Sequence, residues 1–348
     1  MIEAHLIDSW TAAVDRPTHA FSNAMILGGF GAPLFLLLAG VAVAMSAGSK
    51  ARRTGDPAAA ADAVVRRGFE VFLLAFLFRV QAWILGWAAP WTLLRVDILN
   101  IMGPSIMAAA ALWGVLPGTA ARLAGFGAAT LAMTLLTPFL WQWPALAVLP
   151  DPLEAYFRPT AGFTAFALLP WAGFVFAGGF LGVLLDRART GDAERRLTLV
   201  LGVGGLALAG AAYAGSFLPT LYARSDFWTT SPSFFLLRLG ILTAAIGAAY
   251  LWERRPDGRE KWSPFQQLGR TSLFIYWIHV EMIYGLISLR LHHALRLPWA
   301  WVAFVLFSVF MLFCSIWKDR FVRRWRERGL QAPGFGLRLR GLRSLRGG

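Results

Sequence analysis

Apolar residues in this chain come in long blocks separated by short polar stretches rich in Pro, Gly, Arg and Trp. The blocks fall at 25–47, 68–88, 98–116, 123–140, 164–185, 197–218, 233–252, 268–288 and 299–317, and each approaches the ~20 apolar residues that a helix needs to cross the hydrocarbon core. Ahead of them, MIEAHLIDSWTAAV runs through a Trp into Asp15, Arg16 and Pro17, an interface and stop pattern. It reads as the outer half of one more helix, whose N-terminal part is expected to be truncated. It does not read as a signal peptide, because it lacks a basic leader and Glu3, His5 and Asp8 interrupt it. The predicted fold is an all-α polytopic transmembrane bundle of about ten helices, with residues 1–317 as the membrane domain and 318–348 as a basic cytoplasmic tail.

Composition agrees: 57% of residues are hydrophobic and only 15% charged, far too apolar for a soluble domain of 348 residues. The formal charge of +14 raises nucleic acid as a partner, but the placement of the basic residues removes the need for one. Of the 33 Lys and Arg, 25 fall in alternate loops and the C-terminal tail, whereas the intervening loops hold only Arg16, Arg95, Arg158, Arg224, Arg290 and Arg296. This positive-inside bias predicts a multi-pass protein of a bacterial cytoplasmic membrane with both termini in the cytoplasm. The bilayer is then a partner, nucleic acid is not, and an oligomer is left open. The single Cys314 excludes an intramolecular disulfide. No HExxH, Cys pair or dense carboxylate cluster announces a metal, and no GxSxG elbow announces a serine nucleophile.

Ionisable residues inside the apolar blocks are the most informative, since each costs roughly 2.5–3.5 kcal/mol in hydrocarbon unless it meets a partner, water or ligand. In LGRTSLFIYWIHVEMIYGLIS, Ser272, Tyr276 and His279 share one helical face and Glu281 lies nearly opposite. At 1.5 Å per residue, His279 lies roughly 14 Å and His5 roughly 12 Å from the outer ends of their helices, so the two imidazoles share a level. Asp8, three residues after His5, is within reach along a helix. A neutral imidazole held there suits a general base for a hydroxyl or amine nucleophile. Asp97 is placed to cap the helix that opens at LRVDILNIMGPS, and Asn100 one turn later is placed to bind a ligand. Arg79 and Arg238, buried cations without a partner on their own helices, are expected to pair with Asp97, Glu70 or Glu281, with an anionic ligand group as the alternative. Glycines 28, 29 and 31, and 178, 182, 202, 205 and 210, are read as helix-packing positions. Pro33, Pro104, Pro138 and Pro170 are expected to kink spans, and the Pro- and Trp-rich stretch 141–163 to lie on the outer surface as a lid.

GGFGAPLFLLLAGVAVAMSAG, RVDILNIMGPS, LLPWAGFVFAGGFLGVLL and LGRTSLFIYWIH, in this order along nearly the whole chain, resemble the bacterial heparan-alpha-glucosaminide N-acetyltransferase-like membrane acyltransferases. These are similar in fold to the acyltransferase type 3 proteins. The resemblance implies transfer of an acetyl or other acyl group from cytoplasmic acyl-CoA to a sugar or glycan acceptor on the outer side, without a metal. The family pattern, an Asp, then Arg-Gly, then an apolar run ending in His, matches His5 and places the earlier residues upstream of Met1. It implies His5 as general base or acyl carrier, with His279 beside it and Asn100 or Tyr276 at the oxyanion. Arg52, Arg53, Arg66, Arg67 and Arg270 would form a cytoplasmic mouth for the coenzyme A phosphates, while Asp8, Arg79, Asp97, Arg238 and Glu281 would line the cavity or hold it together. Two other functions stay open: a transporter or flippase using Arg79, Arg238 and Glu281, and a non-catalytic relative.

Overall fold

The structure is a computed structural model and describes residues 1–86, 89–253 and 262–327. The longer helices are α1 (Ile2–Trp10), α2 (His19–Gly28), α3 (Gly31–Thr54), α4 (Pro57–Gly86), α5 (Ile98–Val115), α6 (Gly118–Leu135), α7 (Leu168–Arg187), α8 (Gly191–Gly215), α9 (Pro232–Glu253), α10 (Pro264–Arg270), α11 (Ser272–Tyr284) and α12 (Leu297–Glu327). Among the described residues there are no strands, only two isolated bridges, Thr11 with Leu295 and Val96 with Thr164. Among the described residues, six segments are long and apolar enough to cross a membrane: α2 with α3, α5, α7, α8, α9 and α12. The protein is a helical membrane bundle. Helices α4 and α6, of 30 and 18 residues, occupy two more predicted spans.

Helices α5 and α7 are the innermost, with 61% and 67% of their most apolar windows buried, against 22% for α8 and α12. The main core joins α3, α5, α6 and α7 through Leu36, Leu37, Ile101, Phe126, Phe174 and Val175. Glycine makes these contacts close: Gly178, a predicted packing position, abuts Leu37, and Gly40 of α3, not among the predicted ones, abuts the backbone of α7 at Val175. Gly205 and Gly240 lock α8 to α9 in the same way. Gly210 is the exception, since a methyl there would meet nothing within 4 Å.

Several predicted boundaries change. Stretch 25–47 is two helices, because the α2 end at Gly28 and the α3 start at Gly31 leave a short corner before Pro33. Stretch 268–288 is not one span. Thr271 leaves helical geometry (φ −109°, ψ 17°), Gly285 is extended, and the 13-residue α11 lies between them. A broken helix inside a membrane bundle is tolerated where other groups satisfy the freed backbone, and here α12 supplies one. Ser315 donates to the Gln267 carbonyl at 3.3 Å, the Thr271 hydroxyl donates to the same carbonyl at 3.0 Å, and the Gln267 side-chain amide donates to Asp319 at 2.8 Å. Helix α12 runs past residue 317 to Glu327, so the first part of the basic tail continues the last helix; residues 328–348 lie outside the described ones. Stretch 141–163 is partly exposed and meets the start of α7, where Trp141 Nε1 donates to Leu169 O at 3.2 Å and Leu168 N–H to Tyr156 O at 2.7 Å; within it Glu154 is buried and paired with Arg158.

Candidate active site

Helix α1 sits where α2, α11 and α12 converge, and its side chains divide accordingly. Leu6 and Trp10 pack with Ile275, Ile283, Phe307 and Met311, while Ile7 packs with Phe21, Ala24, Leu297 and Ala300. So short a helix gains little from its own backbone, and the bundle supplies the rest. The last carbonyls of α1, which have no partner within the helix, accept from the strap after α11: His293 N–H donates to Ser9 O and Leu295 N–H to Trp10 O, both at 2.9 Å. Asp15 closes the corner by accepting from Leu297 N–H and Arg296, both at 2.8 Å, and so caps α12. These two hydrogen bonds, that from Arg296 foremost, hold its carboxyl below the usual carboxylate range. At the other end of the junction, Ile283 O gathers Trp10 Nε1, the Ser288 hydroxyl and His292 Nε2 at 3.1, 2.7 and 3.0 Å.

The remaining face of α1 presents His5 to α11. The His5 and His279 rings lie 5.4 Å apart between centroids, so the level inferred from sequence becomes a contact. Hydrogen bonding dictates their tautomers. His279 Nδ1 is 2.6 Å from Ile275 O, and a carbonyl only accepts, so Nδ1 carries the proton and Nε2 carries a lone pair. That Nε2 is buried without a partner in a residue 1% exposed. Half-buried His5 places Nδ1 3.2 Å from Tyr284 Oη, whose hydrogen is directed to Asp8 Oδ2 at 3.3 Å. The phenol oxygen therefore accepts from His5 Nδ1–H, and His5 Nε2 is also a free base. Asp8 is held in turn by Arg16 at 2.9 Å. Both imidazoles are thus poised as bases, one reachable and one enclosed.

Tyr276 stacks on Phe35 at 6.1 Å and edges His279 at 5.8 Å, buried between the histidines and the core. Asp97 caps α5 as expected, accepting from Leu99 N–H, and Asn100 completes the cap by accepting Asp97 N–H at 3.1 Å. This binds the Asn100 carbonyl into the helix start. Arg79 pairs with Asp97 at 2.6 Å, which seals that cation inside the bundle. The other pairing expectations fail for a geometric reason. Glu70 lies one turn from Arg67 and takes it at 2.8 Å; Glu281 forms no ion pair among the described residues. Arg238 also has none there, and its guanidinium rests 3.9 Å over the Phe234 ring.

The five arginines of the expected mouth separate. Arg52 turns outward to a bidentate pair with Asp186 at 2.5 and 2.8 Å. Arg53 and Arg67, with Lys50, Ser46 and Ser49, line a cavity of about 700 Å³ between α3 and α4. Arg270 lines a second cavity of about 390 Å³ with Lys318 and Ser272, and Arg66 is exposed. Tyr284 and Arg16 were not among the predicted site residues. As its only sequence signal, Tyr284 has a position at the end of an apolar run, where tyrosine is common. Among the described residues, no group of three His, Cys, Asp or Glu is placed to hold a metal ion.

No curated protein and no solved structure matches the chain. The family model for an acyltransferase domain matches residues 1–318 of the 348. The helical membrane bundle is thus that of a membrane acyltransferase, and the chain belongs to the acyltransferase type 3 family.

Proposed function

We propose that the protein moves an acetyl or other acyl group from cytoplasmic acyl-CoA to a sugar or glycan hydroxyl or amine on the outer side of a bacterial cytoplasmic membrane. We place it, within its family, nearest the heparan-alpha-glucosaminide N-acetyltransferase-like proteins. The observation that carries this reading is the His5–His279 contact at 5.4 Å, with the His5 proton held on Nδ1 by Tyr284 and Asp8. His5 Nε2 takes the acceptor proton as the acceptor oxygen or nitrogen attacks the thioester carbonyl. The C–S bond breaks, and the proton returns to the coenzyme A thiolate. Alternatively, Nε2 attacks first and carries the acyl group before the acceptor takes it. His279 Nε2 offers a second acceptor for the proton held beside it. Tyr276, beside His279, would donate to the developing oxyanion. The cavity lined by Lys50, Arg53 and Arg67 suits the donor phosphates, since cations and hydroxyls there face an apolar groove between α3 and α4. Residues 1–317 would be the catalytic domain, and the basic 318–348 segment would meet anionic lipid.

Membranes containing the protein, supplied with labelled acetyl-CoA, should release coenzyme A and transfer label to glycan. His5→Ala should lower the rate by about 100-fold or more. Unchanged turnover in His5→Ala would overturn the assigned role.

A further inference from the structure

Among the described arginines assigned to the outer half of the molecule, Arg238 alone is neither exposed nor ion-paired; Arg95, Arg224 and Arg290 also lack an ion pair but are exposed. Arg16, Arg79, Arg158 and Arg296 each hold a carboxylate, of Asp8, Asp97, Glu154 and Asp15 respectively. Arg238, in the second turn of α9, has no ion pair among the described residues, and its Nε is buried without a hydrogen-bond partner. Its guanidinium lies 3.9 Å from the Phe234 ring centroid and 5.9 Å from that of Trp171. Cation–π contact of this kind offsets part of the cost of burying the cation, but it leaves the planar fork of donors without a hydrogen-bond partner among the described residues.

The fork lines a pocket of about 250 Å³ at the outer ends of α7 and α9. Trp141, Trp171, Trp228 and Phe234 supply aromatic walls, and Thr229 and Ser231 supply hydroxyls. The volume lies just below the ~300–1,000 Å³ of pockets that enclose drug-sized ligands, so it admits one ring-sized unit and no acyl chain. Trp228 is more than half exposed, which leaves the rim open. The carboxylate nearest the rim in sequence, Asp226, is occupied by Trp228 N–H and the Thr229 hydroxyl at 3.0 and 2.9 Å. Arg238 also reaches toward α1. A methyl on Gly29 would sit 3.2 Å from Arg238 Nη2, while one on the adjacent Gly28 would strike Glu3 and Ala4, next to His5. The pocket and the histidine helix thus abut the same two-residue corner.

We propose that this pocket binds one sugar unit of the acceptor and that the unit carries an anionic group, a carboxylate or a phosphate, received by Arg238. Aromatic faces take the C–H faces of a pyranose ring, and the guanidinium fork takes the planar or tetrahedral anion by paired charge-assisted hydrogen bonds. The assignment to an acceptor rests on the acyl-transfer reading; the binding itself does not.

Binding is measured on the full-length protein in detergent, without acyl donor, from tryptophan fluorescence. The probes are a glucuronate-containing disaccharide, its neutral glucose counterpart and glucose 6-phosphate. At least one anionic sugar should bind about tenfold or more tighter than the neutral one, and which one does identifies the group. Arg238→Gln should abolish the preference, and Arg238→Lys should keep part of it. Trp228→Leu should weaken all three sugars while leaving their ratio intact. Equal affinities for all three sugars, or a preference that survives in Arg238→Gln, would overturn the inference. Wild-type affinities in Trp228→Leu would overturn the aromatic wall. Anionic preference without acyl transfer would contradict the proposed function alone, whereas acyl transfer without that preference would contradict this inference alone.

Discussion

Helices α8 and α9 meet through glycine, whereas α1 and α11 meet through histidine, tyrosine and carboxylate. In the first pair Gly205 and Gly240 bring two helices of 25 and 22 residues into backbone contact, and dispersion over that contact suffices in lipid. In the second, helices of 9 and 13 residues are too short to be held that way. They are tied instead by side-chain and strap hydrogen bonds to their last carbonyls. Length and apolar packing make a wall; short polar helices, held from outside, bring ionisable side chains into contact with one another. The candidate site lies where the bundle departs from the regular pattern, which is where the cost of a buried imidazole is offset by fixed partners.

The largest effect that would sharpen this contrast is expected at the glycine contact. A methyl at Gly240 would lie 2.5 Å from Ala209 N, with backbone rather than a movable side chain in the way. Gly240→Val should therefore cost ~1–3 kcal/mol of stability, read as a lowered melting temperature in detergent. Gly210→Ala, facing open space, should leave it unchanged or slightly raised through helix propensity. Equal effects at the two positions would break the account of the α8–α9 pair.

Next comes Tyr284→Phe, which removes the acceptor for His5 Nδ1–H and the donor to Asp8 while keeping the ring. Tyr284 is a positioning residue. The expected loss is roughly tenfold in kcat with KM little changed, accompanied by a displaced pH profile. A rise in KM alone would contradict the tautomer argument.

The smallest effect concerns Asp15, whose carboxyl is held low by Arg296 and by Leu297 N–H. A depressed folded-state value contributes stability in full above the unfolded value of about 3.9 and loses it as pH falls through the lower folded value. Melting temperature should therefore drop below about pH 4, and Asp15→Asn should flatten that part of the drop. An unchanged acid limb would mean that Asp15 does not tie α1 to α12.

The apolar blocks revealed most of the bundle because lipid-facing helices must be long and apolar, and close-packing glycines are readable as small residues on one face. The Arg79–Asp97 pair was legible too, since a buried cation demands a partner and Asp97 opens the next helix. The break at Thr271 was not: hydropathy is continuous through 268–288, and the α12 group that meets the freed Gln267 carbonyl, Ser315, lies 48 residues away in the chain. Tyr284 and Asp15 escaped for the same reason, because their roles depend on which helix ends meet. Arg238 was legible as costly, yet only the structure separates it from its paired neighbours.

The central claim is that His5 and His279 act as one chemical unit. The most direct test is a double-mutant cycle on the initial rate of coenzyme A release in membranes containing His5→Ala, His279→Ala or both. If the pair acts together, each single variant loses about 100-fold and the double loses little more than the worse single. Multiplying losses, approaching 10⁴-fold in the double, would contradict it.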